Sequence, residues 1–196
     1  FLFNPEEWAT LLASFARARE WAGMKIDLTK RSKMAVVTSK NDRNLSARVG
    51  KVANTPFIPT IRIDSTEEMD DIERKLNDWN PEVLIAYASM AYFLAIQQKE
   101  GKLRINPKKI FVSSEVLTEE MRNQVQEVWG NVVFDEYAST ETATVAAEDE
   151  KHHGLHVFED LLIVENVDEN NKAVPVGEFG EKLLVTTLFS RTQPLI

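Results

Sequence analysis

The sequence predicts an α/β fold: a parallel, helix-covered sheet followed by a smaller antiparallel, barrel-like β subdomain. Three observations carry this. Short apolar runs rich in Val, Ile and Phe (around residues 34–37, 83–87, 109–112 and 132–134) alternate with longer segments whose apolar residues recur at helical spacing. That alternation is the pattern of strand–helix–strand units, and such units build parallel sheets covered by helices. Composition then shifts after about Lys151. There, alternating runs at Leu161–Val164 and Lys182–Thr186 are separated by turn-like Asp168-Glu169-Asn170-Asn171 and Gly177-Glu178-Phe179-Gly180, with no amphipathic helix between them. The division expected is therefore 1–150 for the α/β part and 151–196 for the antiparallel part.

In chain order, Asn4-Pro5-Glu6-Glu7 starts a helix: an N-cap, Pro at the first helical position, then two acids. Trp8, Leu11, Leu12, Phe15 and Ala22 give that helix a buried face, and Gly23 stops it. Lys33–Ser39 reads as a strand, the segment up to Asn54 as a short helix, and Ile58–Asp64 as another strand. Ser65-Thr66-Glu67-Glu68 has the spacing of a capping box. The helix after it carries Met69, Ile72, Leu76 and Trp79 on one face and ends near Asn80-Pro81. Val83–Tyr87 is a buried strand, Ser89 caps the next helix, and Phe93, Leu94 and Ile96 face inward until Gly101. Lys109–Val112 is a strand, Thr118 caps a helix bearing Met121, Val125, Val128 and Trp129, and Gly130 ends it. Val132-Val133-Phe134 begins the next strand, which runs through Tyr137.

With 196 residues, 43% hydrophobic and 28% charged, the chain can bury a sizeable core and is not of the disordered class. A net charge of −8 argues against a nucleic-acid binder, which would show a basic stripe. Apolar runs far short of a membrane span argue against a membrane protein. The absence of cysteine removes disulfides and thiol chemistry, and it accords with a cytoplasmic setting. The chain begins at Phe1 without an initiator Met and ends at Ile196 just after a strand, so both ends read as cut. A homodimer is a further expectation, and one that excision could itself create by baring Trp8 and Trp21.

The strand through Tyr137 gives way to small and polar residues, Ala138-Ser139-Thr140, with a carboxylate at Glu141. Ligands of open α/β sheets sit beyond the carboxyl ends of the strands. A hydroxyl beside a carboxylate there suits a phosphate and its Mg²⁺, which keeps several waters and takes only one or two protein carboxylates. On local chemistry alone, capping of a following short helix is the favoured account of the same residues. Ser113-Ser114-Glu115 ends another strand and could be an ordinary loop. Tyr137 could be a core tyrosine, and Tyr87 a strand end. His152, His153 and His156 near Glu148, Asp149 and Glu150 could suggest a metal site, but a solvated acidic loop accounts for them.

Tyr137-Ala138-Ser139-Thr140-Glu141 resembles the Tyr-Gly-x-Thr-Glu motif of the adenylate-forming superfamily. Three further stretches are similar to its phenylacetate–coenzyme A ligase branch. Ser113-Ser114-Glu115 stands where that branch has Gly-Ala-Glu or similar. Gly154-Leu155-His156-Val157-Phe158-Glu159-Asp160 matches its Gly-Leu-His-x-x-Glu-Asp segment. Val174-Pro175-Val176-Gly177-Glu178-Phe179-Gly180-Glu181, followed by Leu184-Val185-Thr186-Thr187-Leu188, matches its Pro-x-Gly-Glu-x-Gly-Glu-x-x-x-Thr-x-Leu segment. These matches span the second half of the chain in the family's order.

The resemblance implies an internal piece of the large N-terminal domain of an ATP-dependent acid–coenzyme A ligase. It implies that Glu141 holds Mg²⁺ and Thr140 contacts ATP phosphate. Ser113, Ser114 and Glu115 would border adenine, with Tyr137, Ala138 and Ser139 lining the nucleotide site. Tyr87, Ala88, Tyr137 and Ala138 would line the pocket of an aryl or phenylacetate-like carboxylate. ATP, Mg²⁺ and coenzyme A are the cofactors implied for the full-length protein, and the piece alone would be inactive. Ala138 departs from the family's usual Gly: its methyl is strained if the backbone there needs φ > 0, and otherwise only narrows the pocket. Two rivals remain: a synthetase that passes its group to an acceptor other than coenzyme A, and a non-catalytic nucleotide- or partner-binding module.

Overall fold

The computed structural model describes residues 3–25, 29–41, 49 and 54–192. The strands and helices are α1 (Pro5–Trp21), β1 (Met34–Thr38), β2 (Thr60–Asp64), α2 (Met69–Trp79), β3 (Val83–Tyr87), α3 (Ala88–Lys99), β4 (Lys109–Ser113), α4 (Glu119–Trp129), β5 (Val133–Ser139), β6 (Ala143–Glu148), β7 (Leu155–Val157), β8 (Leu162–Val167) and β9 (Lys182–Thr187). The short helix expected before Asn54 falls almost wholly outside the described residues.

Among the described residues, β1 to β7 form one seven-stranded sheet in the order β2-β1-β3-β4-β5-β6-β7, and β8 and β9 form a separate antiparallel pair. Strands β1 to β5 are parallel, as the repeated strand–helix units require, and β6 and β7 are added antiparallel. The large sheet therefore continues past residue 150 to β7. The chain runs outward from β1 to β2 and then returns to β3 on β1's other side. This puts a topological switch point between the carboxyl ends of β1 and β3.

Alternate residues of each parallel strand serve opposite faces. Ala35, Val37, Leu84, Ala86, Ile110, Val112 and Val133 bury against α2, α3 and α4 through Ile72, Leu76, Leu94, Val125 and Trp129. Met34, Val36, Val83, Phe111 and Phe134 face the other way, toward Ala22 at the end of α1. Helix α1 lies along β6, where Leu11 meets Ala143 and Ala18 joins Val145, Ala147, Phe158 and Leu162. Trp21 packs edge-on to Phe158 with ring centroids 4.5 Å apart. The β8–β9 pair is thereby tied to the sheet through α1.

Four local readings needed correction. The capping box at Ser65 does not form: α2 starts at Met69 with Glu68 at its N-cap and no side-chain cap bond. Asp64, at the end of β2, instead holds the turn before the helix, accepting from both the amide (3.1 Å) and the hydroxyl (2.9 Å) of Thr66. Ser89 is not the cap of α3, because the helix begins one residue after Tyr87. Phe93 is 49% exposed rather than internal, since the buried stripe of α3 runs through Met90, Ala91, Leu94 and Ala95. In α1 the buried stripe is Glu7, Leu11, Ser14 and Ala18, which leaves Leu12 and Phe15 to wall a cavity beside the sheet.

Asn4 forms the capping box expected at α1, with Glu7 as its acid. Glu7 does more than cap. It is 2% exposed and accepts from the amides of Asn4 (2.8 Å), Arg191 (2.5 Å) and Thr192 (2.7 Å), and from the Thr192 hydroxyl (2.8 Å). Burial pushes its carboxyl up, but the hydrogen bonds from Asn4, Thr192 and Arg191 outweigh that and hold it down at about 2. A depressed acid stabilises the fold above its unfolded pKa, and that stability is lost as pH falls toward the folded value. Glu7→Gln should therefore lower the melting temperature at pH 7, with the gap to wild type closing between pH 4.5 and 2 in a thermal series.

Candidate active site

The register of the parallel strands lines up the sequence-predicted residues along one edge of the sheet. Tyr87 pairs with Ser113, and Ser113 pairs with Glu136, whose next residue is Tyr137. The carboxyl ends of β3, β4 and β5 thus carry Tyr87-Ala88, Ser113-Ser114-Glu115 and Tyr137-Ala138-Ser139 side by side. At the switch point the Ser39 amide donates to the Tyr87 hydroxyl (3.1 Å), closing the edge toward β1. Ser39 was not singled out by sequence reasoning, because its role follows only from the strand order.

Thr140 and Glu141 lie in the turn between β5 and β6, so they do not cap a helix: β6 follows directly. Ser139 builds that turn. Its hydroxyl accepts from the amides of Glu141 and Thr142 (both 3.2 Å) and sits 2.9 Å from the Thr142 hydroxyl. The Ser139 side chain is thus committed to holding its neighbours. Glu141 is exposed, and among the described residues no hydrogen bond or ion pair engages its carboxylate. An unengaged carboxylate beside a hydroxyl, at the carboxyl edge of a parallel sheet, is a donor set that fits Mg²⁺.

Ala138 is not in the left-handed region, so its methyl costs no backbone strain and acts only on the width of the pocket. It follows an irregularity in the β5–β6 ladder: Tyr137 pairs with Ala146 but Ala138 with Thr144, leaving Val145 as the extra residue. Ser114 by contrast has φ 69°, an uncommon conformation for a residue with a side chain. The strain falls in the loop that was expected to border a nucleotide. The Glu115 carboxylate accepts from the Ser89 amide (2.8 Å) at the start of α3, linking the ends of β3 and β4. Tyr137 is 46% exposed, whereas Ala88 is fully buried in the helix-side core and offers the edge only backbone.

A cavity of about 820 Å³ lies elsewhere, over the face of β1 and β3, walled by Leu12, Phe15, Met34, Ile58 and Ile85 of its apolar residues. Its lining comes from α1 and the sheet face and includes none of the edge residues. Arg17, Arg19, Glu20 and Lys25 are also part of its lining.

Two of the three histidines, His152 and His156, each lie beside one acid. His152 stacks on Phe134 (4.4 Å between centroids) with Nδ1 3.5 Å from Glu148, and His156 Nε2 is 3.5 Å from Asp149. No group of three or more metal-ligating side chains occurs among the described residues. Glu148 also accepts from Arg122 (2.6 Å) and from the Asp135 amide (2.9 Å). Burial, then the neighbouring Glu148 charge, pushes the half-buried Asp135 up to about 6. An acid raised on folding holds its proton longer in the folded chain, so stability falls as pH rises from about 4 through 6. Asp135→Asn removes that penalty while its side-chain oxygen can still accept from the Glu136 amide. After discounting for solvent screening, the variant should gain about 1–2 kcal/mol at pH 7, or roughly 3–6 °C, and nothing at pH 4.

No family model matches the chain. Protein CapK of Staphylococcus aureus is 27% identical over 168 residues, covering 82% of this chain and 34% of CapK. Among solved structures, a 2-hydroxyisobutyryl-CoA ligase in complex with 2-HIB-AMP and CoA superposes with a TM-score of 0.80 at 21% identity, over 100% of this chain and 42% of that one. The anthranilate CoA ligase AuaEII, in complex with anthranoyl-AMP, gives 0.68 at 12% identity, over 94% and 36%. A benzoate CoA ligase from Burkholderia xenovorans gives 0.62 at 16% identity, over 90% and 37%. This is the adenylate-forming ligase fold. The chain spans about two-fifths of the 2-hydroxyisobutyryl-CoA ligase and a third of CapK. In the adenylate-forming fold as this chain shows it, the mostly parallel seven-stranded sheet and the separate antiparallel pair expected from sequence are both present. No described helix of the chain is long and apolar enough to cross a membrane.

Proposed function

We propose that the protein containing this chain is an acid–coenzyme A ligase that activates a carboxylic acid with ATP as an acyl-adenylate and passes the acyl group to coenzyme A. The observation that carries this reading is the free Glu141 carboxylate beside Thr140, at the carboxyl edge of the sheet, in a fold shared with ligases solved with acyl-AMP. In this reading Glu141 holds Mg²⁺ and the Thr140 hydroxyl donates to a phosphate oxygen of ATP. Mg²⁺ would supply neutralisation of the charge that develops as the carboxylate attacks the α-phosphate. Ser113, Ser114 and Glu115 border the adenine, and the backbone around Tyr137 and Ala138 separates it from the acid.

Tyr87 and the half-exposed Tyr137 give the acid pocket aromatic walls, which makes an aryl or phenylacetate-like acid the first class to assay. The chain by itself should release no pyrophosphate with any acid. An ATP–pyrophosphate exchange screen of the whole protein over aryl and aliphatic acids tests the reading. Exchange dependent on one class of acid supports it, and no exchange with any acid would count against it. Adenylate formation without a CoA product would instead favour the synthetase with another acceptor.

A further inference from the structure

The turn that bears Thr140 and Glu141 runs directly into a strained residue. Ala143 is buried with φ 61°, a conformation that a side chain disfavours and that persists only when its surroundings hold it. Thr144, the next residue, is fully buried: its amide donates to the Ser14 hydroxyl of α1 (3.3 Å) and its hydroxyl donates to Glu136 Oε1 (2.7 Å). Ser14 is itself fixed by donating to the Leu11 carbonyl (2.8 Å). The other oxygen of Glu136 accepts from Arg19 of α1 (2.5 Å), and the Arg19 guanidinium lies 4.3 Å above the Phe111 ring. Glu136 is 3% exposed, in the middle of β5.

A buried carboxylate inside a strand needs a reason, because an apolar residue would pack there without an ion partner. Glu136 bonds across the ladder irregularity to Thr144, beside the strained residue, and it is the ion partner of α1. We infer that Glu136, Arg19 and Thr144 are positioning residues that fix the turn carrying Thr140 and Glu141, so that α1 acts as the clamp on the metal-bearing loop. This rests on the proposed function for what the turn does, but not for how the turn is held.

The test has two readouts on the whole protein. In Glu136→Gln and in Thr144→Val, hydrogen exchange at the amides of Glu141 and Thr142 should speed up ten-fold or more, while exchange in α2, α3 and α4 stays as in wild type. Exchange that is unchanged at the turn, or faster everywhere alike, overturns the inference. In the ATP–pyrophosphate exchange assay both variants should need about ten-fold more Mg²⁺ for half-maximal rate, with the KM for the acid within two-fold of wild type. Arg19→Lys, which keeps the charge, should recover most of the Mg²⁺ response. Lower activity at an unchanged Mg²⁺ requirement would show a structural ion pair only and overturn the inference. If the wild-type protein exchanges pyrophosphate with no acid, the proposed function fails, and the amide exchange alone decides the clamp.

Discussion

Glu141→Gln should reduce acid-dependent ATP–pyrophosphate exchange by the whole protein roughly 100-fold or more. The substitution preserves shape and one acceptor oxygen but removes the charge that a hard divalent cation requires. It should leave the melting temperature within about 2 °C of wild type, since exposed positions without partners contribute little to stability. That separation follows from the structure: the carboxylate is exposed and unengaged among the described residues, so nothing in the fold depends on it. Glu119→Gln, in the first turn of α4, serves as the control and should change neither activity nor stability. A Glu141→Gln protein with wild-type exchange would remove the metal role from this position.

Arg19→Met should have the largest effect on stability. Arg19 is 15% exposed and Glu136 3%, so deleting the guanidinium strands a carboxylate in the core. Removing one partner of a buried pair costs about 3–5 kcal/mol, which for a chain of this size is a drop of about 10 °C or more. The pair between Arg17 and Asp160 provides the contrast. It has good forked geometry (2.6 and 2.8 Å), but its side chains are 32% and 58% exposed. Arg17→Met should cost no more than about 1 kcal/mol. Replacing both members of the buried pair with apolar residues of similar size should recover much of the loss, because no charge is then left unpaired. Denaturant midpoints of the three proteins check this, and equal losses for Arg17→Met and Arg19→Met would contradict it.

Most of the parallel sheet was legible because each strand–helix unit repeats its own local signals. Asn4 and Thr118 cap their helices as their residue types suggest, and Gly23, Gly101 and Gly130 sit at helix ends with positive φ. Strand β6 was not legible. Ala143–Glu148 is half alanine, a poor strand former, and it becomes a strand only because β5, β7 and α1 bury it on every side. The same absence left open whether Thr140-Glu141 capped a helix. Ser65 forms no cap because α2 starts only at Met69, after a turn that Asp64 holds through Thr66, and spacing alone does not resolve that.

At the candidate site, the order Tyr137 to Glu141 was readable from the motif, and the side-by-side placement with Ser113 followed from a parallel sheet. The Arg19–Glu136 pair joins residues 117 positions apart, and the only hint of it was the two adjacent carboxylates, Asp135 and Glu136, within a strand that begins apolar. Ala138 shows the reverse case. Its departure from glycine raised the question of strain, but its backbone is outside the left-handed region, whereas Ser114 and Ala143 near it are two of the five non-glycine residues with positive φ among the described residues.

Calorimetric titration of the whole protein with ATP–Mg²⁺ tests the central claim most directly. Binding by wild type that is lost or greatly weakened in Glu141→Gln is the expected result. Equal binding by the two proteins, or none by wild type, would contradict a nucleotide and metal site at the end of β5.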